Sequence, residues 1–254
     1  KSLLLQQMAL LAYQQGRTVH LFQWDVVRQP FETHDYVLEH YPEIDGVTHA
    51  MVRKAAGLWI RQAVGAWYQA HPEETHLLVG EAPLIGGRFM ELARSQTDFV
   101  EAFLSDPQTT FATVIPSIEI RHLIEGRREA SSANPQHERE QADAIPVVMR
   151  DSWMDIYNAG AQLGLNATAQ HPYEAYEPDI YQGVYQHLLK HRQRQPLMLD
   201  IKLETAETSV YDLGFQPQEL IPHQEDVLTY LADAEQRYPD ATALQQASET
   251  WYQL

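Results

Sequence analysis

The chain opens Lys1-Ser2-Leu3 at the head of a helical pattern, and that first pair is equipped for phosphate chemistry. Lys followed by Ser closes the loop G-x-x-x-x-G-K-[ST], in which the ammonium meets phosphate oxygens and the hydroxyl meets Mg2+. Two acids stand at the ends of short apolar runs: Asp25 after "RTVHLFQW" and Glu81 after "THLLVG". Carboxylates at strand ends suit proton transfer or metal binding, because ligands of parallel sheets collect there. Arg121, Arg127 and Arg128 fall on one helical stretch, with Arg121 and Arg128 on a shared face.

Each pattern has a plainer alternative. "KSLLLQQMALLAYQQG" also reads as an amphipathic first helix, since Leu4, Leu5, Met8, Leu11 and Ala12 recur at helical spacing and Gly16 then stops the run. A signal peptide is the third reading; Gln6 and Gln7 interrupt its apolar stretch, and no small-x-small cleavage site follows. For Asp25 and Glu81 the alternative is a solvated carboxylate. Glu81 is the stronger of the two, because its strand is more apolar and "APLIGGR" then forms a turn that a ligand can approach, before a helix at "RFMELARS". The arginines have Glu119, Glu125 and Glu129 within pairing distance on a helix.

The elements that must position these residues alternate. A first helix, a Gly turn and a strand at Thr18–Trp24 are followed by a long helix over Val47 to Ala70. Further strands are expected at His76–Gly80, Thr110–Ile115 and Leu197–Ile201. Repeated strand and helix predicts an α/β fold with a mainly parallel, buried sheet. A helix through "IEIRHLIEGRREA", a break at "SSANPQH" and a restart at "HEREQADA" have the shape of a lid at about 117–150. Two acidic amphipathic helices close the chain, with a candidate boundary near Pro217 to Pro222. The reading is therefore an α/β domain over 1–216 and a helical extension over 217–254.

With these residues in place the chain resembles a P-loop kinase of the nucleoside/nucleotide-kinase type whose first strand and glycine loop lie upstream of Lys1. "KSLLLQQMALLAYQQGRTVHLFQWDVVR" resembles the segment from the phosphate-loop Lys-Ser through the second strand, with Asp25 and Arg28 as that strand's acid and Arg. "HLLVGEAP" resembles the strand that carries the Walker-B-type acid, and "PLMLDIKLETAE" the last core strand. The resemblance implies a three-layer P-loop NTPase-like sheet with a helical lid, ATP and Mg2+ as cofactors, and phosphoryl transfer to a small-molecule acceptor. It implies Lys1 and Ser2 at the phosphates, Ser2 and Glu81 at Mg2+, and Asp25 at the acceptor hydroxyl. Arg121 and Arg127 would bind nucleotide, and Arg128 would stabilise charge on the transferred group. It also implies a strand between "HLLVG" and "TFATVI", supplied from upstream of Lys1 or by another chain. The alternative class is a kinase-like domain that no longer catalyses and serves as a structural or regulatory partner. The acidic tail helices would then face a protein partner or a second copy.

Composition trims these options. The 254 residues carry a formal net charge of −17, which argues against a long nucleic-acid-tracking surface. No apolar run reaches the roughly 18 residues that suggest a membrane span. The absence of cysteine fits a reducing compartment, and a cytoplasmic location is expected. The 12 histidines are scattered, with no H-E-x-x-H or H-x-H pair, so a metal hydrolase is unsupported. No nucleophile elbow is found. Tyr173, Tyr176, Tyr181 and Tyr185 could line a groove or lie half-buried under a loop.

Overall fold

The computed structural model describes residues 2–44, 46–133, 146–168, 174–202 and 217–254. In chain order the elements are α1 (Ser2–Gln14), β1 (Thr18–Phe22), α2 (Trp24–Glu32), α3 (Asp35–His40), α4 (Ala50–Ala70) and β2 (His76–Gly80). There follow α5 (Met90–Ala93), α6 (Phe99–Leu104), β3 (Phe111–Pro116), α7 (Ile118–Ala133), α8 (Pro146–Gln162) and α9 (Pro178–Leu188). The chain continues through β4 (Arg194–Leu199), β5 (Gln218–Glu219), α10 (Gln224–Arg237) and α11 (Ala241–Glu249). The protein is α/β, with short parallel sheets and many helices. None of the described helices is long and apolar enough to cross a membrane.

The chain divides into two units, Lys1–Asp106 with Gly214–Leu254, and Pro107–Leu213. In the first, α1 ends at a left-handed Gly16 (φ 77°), and the Arg17 N–H donates back to Ala12 at 3.0 Å. This closes the helix and turns the chain straight into β1. Leu5 and Ala9 of α1 pack on Val19, Leu21 and Val79, so one face of β1 and β2 is covered by the helix that precedes them. β1 is the middle strand, parallel to β2 on one edge and to β5 on the other. Its last four residues are buried, as expected for a parallel strand flanked by neighbours.

The long helix α4 organises the rest of this unit. Val52, Ala55, Ala56 and Ile60 are fully buried, and α2, α5, α6, α10 and α11 all pack against it. The two tail helices therefore belong with the first unit, not to a separate extension beginning at 217. A helix surrounded this way needs apolar residues on most of its circumference, which "MVRKAAGLWIRQAV" supplies. Arg61 interrupts that surface at 1% exposure and is fully engaged: it bonds Asp98, Glu101 and the carbonyls of Glu91 and Arg94.

The second unit contains β3 and β4, paired in parallel over six positions, with α9 and α7 packing against β3 and α8 against α9. The lid expectation falls on α7 and α8; residues 134–145 between them lie outside those described.

Four expected features differ in the structure. The strands do not form one sheet: among the described residues β2–β1–β5 and β3–β4 are separate, and β2 has no pairing with β3. Trp24 is not strand but the first residue of α2, drawn inward by its edge contact with Phe89 at 5.2 Å. β4 lies earlier than the expected Leu197–Ile201 and is not a buried strand, since Arg194 through Met198 are exposed. The helix expected at "RFMELARS" shrinks to Met90–Ala93, because Phe89 adopts a left-handed backbone (φ 52°) that a helix cannot continue through.

Candidate functional site

The carboxyl ends of β1 and β2 define the edge at which the sequence-singled acids sit. Phe22 and Gly80 are the last registered pair of the two strands. Glu81 comes next in β2's chain, and its N–H donates to the Phe22 carbonyl at 2.9 Å. On β1's side Gln23 is extended and Asp25 lies in the first turn of α2, where a carboxylate meets the positive end of the helix. The Gln23 amide reaches Glu219 at 3.3 Å, bringing the end of β5 to the same edge.

Asp25 is not isolated there. Arg28, one turn on, donates to its Oδ1 at 2.9 Å, and also meets Glu32 at 2.5 Å and Glu43 at 3.5 Å. Asp25 is half exposed, at 51% for its side chain, whereas Glu32 is largely enclosed and bonded by Thr48 at 2.6 Å. Burial pushes the Glu32 carboxyl above its ordinary value, and its bonds to Thr48 and Arg28 work against that. One guanidinium among three carboxylates leaves a local excess of negative charge beside the strand ends, suited to a cation.

The turn after β2 is held from α4. Gly86 (φ 68°), Gly87 (φ 81°) and Phe89 (φ 52°) all take left-handed backbone conformations within four residues, which only glycine adopts without cost. Arg53 donates to the Gly86 carbonyl at 2.6 Å, and the Arg88 guanidinium lies 5.8 Å from the Trp24 ring centroid. The strain at Phe89 costs on the order of 1–3 kcal/mol. It is offset by full burial of the ring, which meets both Phe22 and Trp24 edge-on.

Behind this turn sit two buried ionisable side chains that the sequence reading missed. Lys54 and Glu91 are 2% and 4% exposed. Lys54 Nζ donates to the Ala247 carbonyl at 3.3 Å and lies 5.5 Å from the Tyr238 ring centroid. Burial pulls the Lys54 ammonium down to about 8, with Glu91 opposing. Burial pushes the Glu91 carboxyl up, with Lys54 and then Arg94 opposing. Glu91 Oε2 has no hydrogen-bond partner, and a Cβ at Gly57 would meet it at 1.9 Å, so the glycine makes the space this carboxylate occupies. The available sequence signal was a Lys in the middle of the apolar run "MVRKAAGLWI".

Of the remaining expected site residues, Lys1 lies outside those described, and Ser2 begins α1. Arg121, Arg127 and Arg128 are on α7, in the second unit. Arg121 pairs with Glu125 at 2.6 Å, donates to the Met149 carbonyl at 3.1 Å, and stands 5.3 Å from the Tyr176 ring centroid. It lines a cavity of about 140 Å3 with Arg150, Trp153 and Tyr176. Arg127 is exposed and Arg128 half-buried. Of the tyrosines, Tyr176 and Tyr185 are buried, and Tyr173 lies outside the described residues.

No family model, curated protein or solved structure matches this chain. The functional reading therefore rests on the residues and their arrangement alone.

Proposed function

We propose that this protein is an ATP-dependent phosphotransferase of the P-loop kinase type, which passes the γ-phosphoryl group of ATP to a small-molecule acceptor with Mg2+ as cofactor. The observation that carries the reading is the shared edge of β1 and β2. They are parallel neighbours; Glu81 follows directly from the carboxyl end of β2, tied to β1 by its hydrogen bond to Phe22, and Asp25 stands in the first turn of the helix that follows β1. The helix that opens at Ser2 runs by one Gly turn into β1 and packs beneath both strands, as a phosphate-loop helix does.

Parallel pairing within each unit goes with the reading: β2 with β1 in the first, β3 with β4 in the second. In this scheme Lys1 would neutralise the β- and γ-phosphates, and Ser2 and Glu81 would hold Mg2+. The acceptor oxygen would attack the γ-phosphorus as the bond from that phosphorus to the bridging oxygen breaks and ADP leaves, and a bound Mg2+ would supply positive charge for the leaving group. The acceptor proton passes to Asp25, which Arg28 orients through Oδ1. A cytoplasmic location goes with this reading, in keeping with a chain free of cysteine.

Thermal melting with and without ATP·Mg2+ tests it. Nucleotide at about one hundred times Kd stabilises the folded protein by about 2.7 kcal/mol. That corresponds to a rise of several degrees, at roughly 2–4 °C per kcal/mol. ADP release with a panel of hydroxyl and phosphate acceptors then reads turnover. A rise without turnover on any acceptor would favour the inactive kinase-like partner, and no rise with ATP or GTP would overturn nucleotide binding.

A further inference from the structure

A second cluster of chemistry-bearing side chains lies at the opposite end of the same strands. His20 is inside β1, His76 begins β2, and His71 caps the end of α4. β1 alternates, so Val19 and Leu21 face α1 while His20 points to the other face, toward the α4 terminus. The five-residue step from His71 to His76 is the loop that joins α4 to β2. Three elements thus deliver one imidazole each to a single spot, with ring centroids 4.5, 4.5 and 5.2 Å apart.

The spacing suits a metal ion. One ligand nitrogen from each ring lies within 4.8 Å of the others, and His20 Nε2 and His76 Nδ1 share a hydrogen bond at 2.9 Å whose proton an ion would displace. Tetrahedral zinc with Zn–N bonds of about 2.0–2.1 Å sets its ligand nitrogens roughly 3.4 Å apart, inside the limit that the three nitrogens share. The Nδ1–H of His71 donates to the Trp67 carbonyl at 2.9 Å. That bond fixes the tautomer and leaves Nε2 as the lone-pair nitrogen, which is how outer partners orient ligating histidines. The Trp67 ring stacks on His71 at 5.4 Å and meets His20 edge-on at 5.5 Å, so an aromatic wall holds the rings and excludes water on one side.

We infer that His20, His71 and His76 form a binding site for one zinc-class divalent ion, with a fourth position open to water or a carboxylate. Histidine is the right ligand for such a metal only when neutral. Glu73 and Glu74 sit on the connecting loop, which is exposed and gives the ion a way in. The site is separate from the proposed phosphoryl-transfer edge: His76 and Gly80 are opposite ends of β2, roughly 13 Å apart at the rise of a parallel strand. The ion would clip the end of α4 to both strands, and it does not depend on the kinase reading.

The test is metal titration of chelator-stripped protein, using Zn2+ followed by calorimetry and Co2+ followed by visible absorption. The expected result is one ion per chain, proton release on binding, and the intense visible bands of four-coordinate Co2+. His71→Gln and His76→Gln, at half-buried positions, should each weaken binding by more than the roughly 10–100-fold cost of losing an outer partner. Their far-UV circular dichroism should be unchanged, which separates ligand loss from misfolding, a risk at the buried His20. His191→Gln, at an exposed position in the other unit, should bind like the parent. Absence of stoichiometric binding overturns the inference. So does binding that survives in the His71→Gln/His76→Gln double variant, which would mark the ion as adventitious.

Discussion

The Glu81 N–H donates to the Phe22 carbonyl at 2.9 Å, so the two strands of the candidate edge leave the sheet tied to each other. The bond belongs to the backbone, and the Glu81 carboxylate is not needed for it. Glu81→Gln should therefore preserve the fold while removing the charge proposed to hold Mg2+. Under the phosphotransferase reading, turnover should fall by about a hundredfold or more while the nucleotide-induced rise in Tm is largely kept. Steady-state kinetics beside melting curves read this difference. Equal losses in turnover and nucleotide affinity would reduce Glu81 to a binding role.

The same edge depends on a missing side chain. A Cβ at Gly80 would lie 1.9 Å from Cζ of Phe22 and 2.0 Å from Cε1. The Phe22 ring cannot swing away, because it is buried and meets Phe89 edge-on. Gly80→Ala should destabilise the protein by about 1–3 kcal/mol, the usual cost of overpacking. Urea denaturation would show it as a lower midpoint at unchanged slope. An unchanged midpoint would mean that the ring is free to move.

Asp98 supplies an acid-side dependence. Arg61 bonds it twice, Nε to Oδ2 at 2.7 Å and Nη2 to Oδ1 at 2.8 Å, and these bonds hold the carboxyl below its ordinary value. The folded state therefore binds the proton less readily than the unfolded chain. The stabilisation is fully present above the unfolded pKa of about 3.9 and is lost as pH falls through the lower folded value. Asp98→Asn should cost about 1.5–3 kcal/mol at neutral pH, the range for hydrogen bonds to a charged group. It should also flatten the loss of stability below about pH 4. Melting temperatures across the acid range check both, and an unchanged acid slope would refute the assignment.

Lys54 predicts the opposite limb. Its folded pKa of about 8 lies below the unfolded value of about 10.4. Between those values the unfolded chain holds the proton and the folded protein does not, so this group makes stability rise with pH across the window. Lys54→Met, which keeps the length of the buried stem, should abolish that rise. Comparing the pH dependence of denaturation midpoints for parent and variant decides it; parallel curves would mean that Lys54 does not titrate there.

What the sequence determined by itself is the local part of this protein. The run "HLLVG" alone places β2 at His76–Gly80, because apolar β-branched and leucine residues between turn signals favour extended chain wherever they end up. Spacing alone places α1 and its stop at Gly16, since helical periodicity and a left-handed glycine are properties of neighbouring residues. The acids Asp25 and Glu81 were legible for the same reason: each sits just past the end of an apolar run. Tertiary structure decided everything that joins distant positions. It divided the strands between two units and left β4 largely exposed, although its sequence reads as a buried strand. It moved Trp24 into a helix by giving its ring Phe89 to pack on. It placed Lys54 and Glu91 in one buried environment, and it set His20 against His76 across 56 positions of chain. No local pattern encodes such meetings, because parallel strand pairing and helix packing choose partners by burial and register rather than by proximity in sequence.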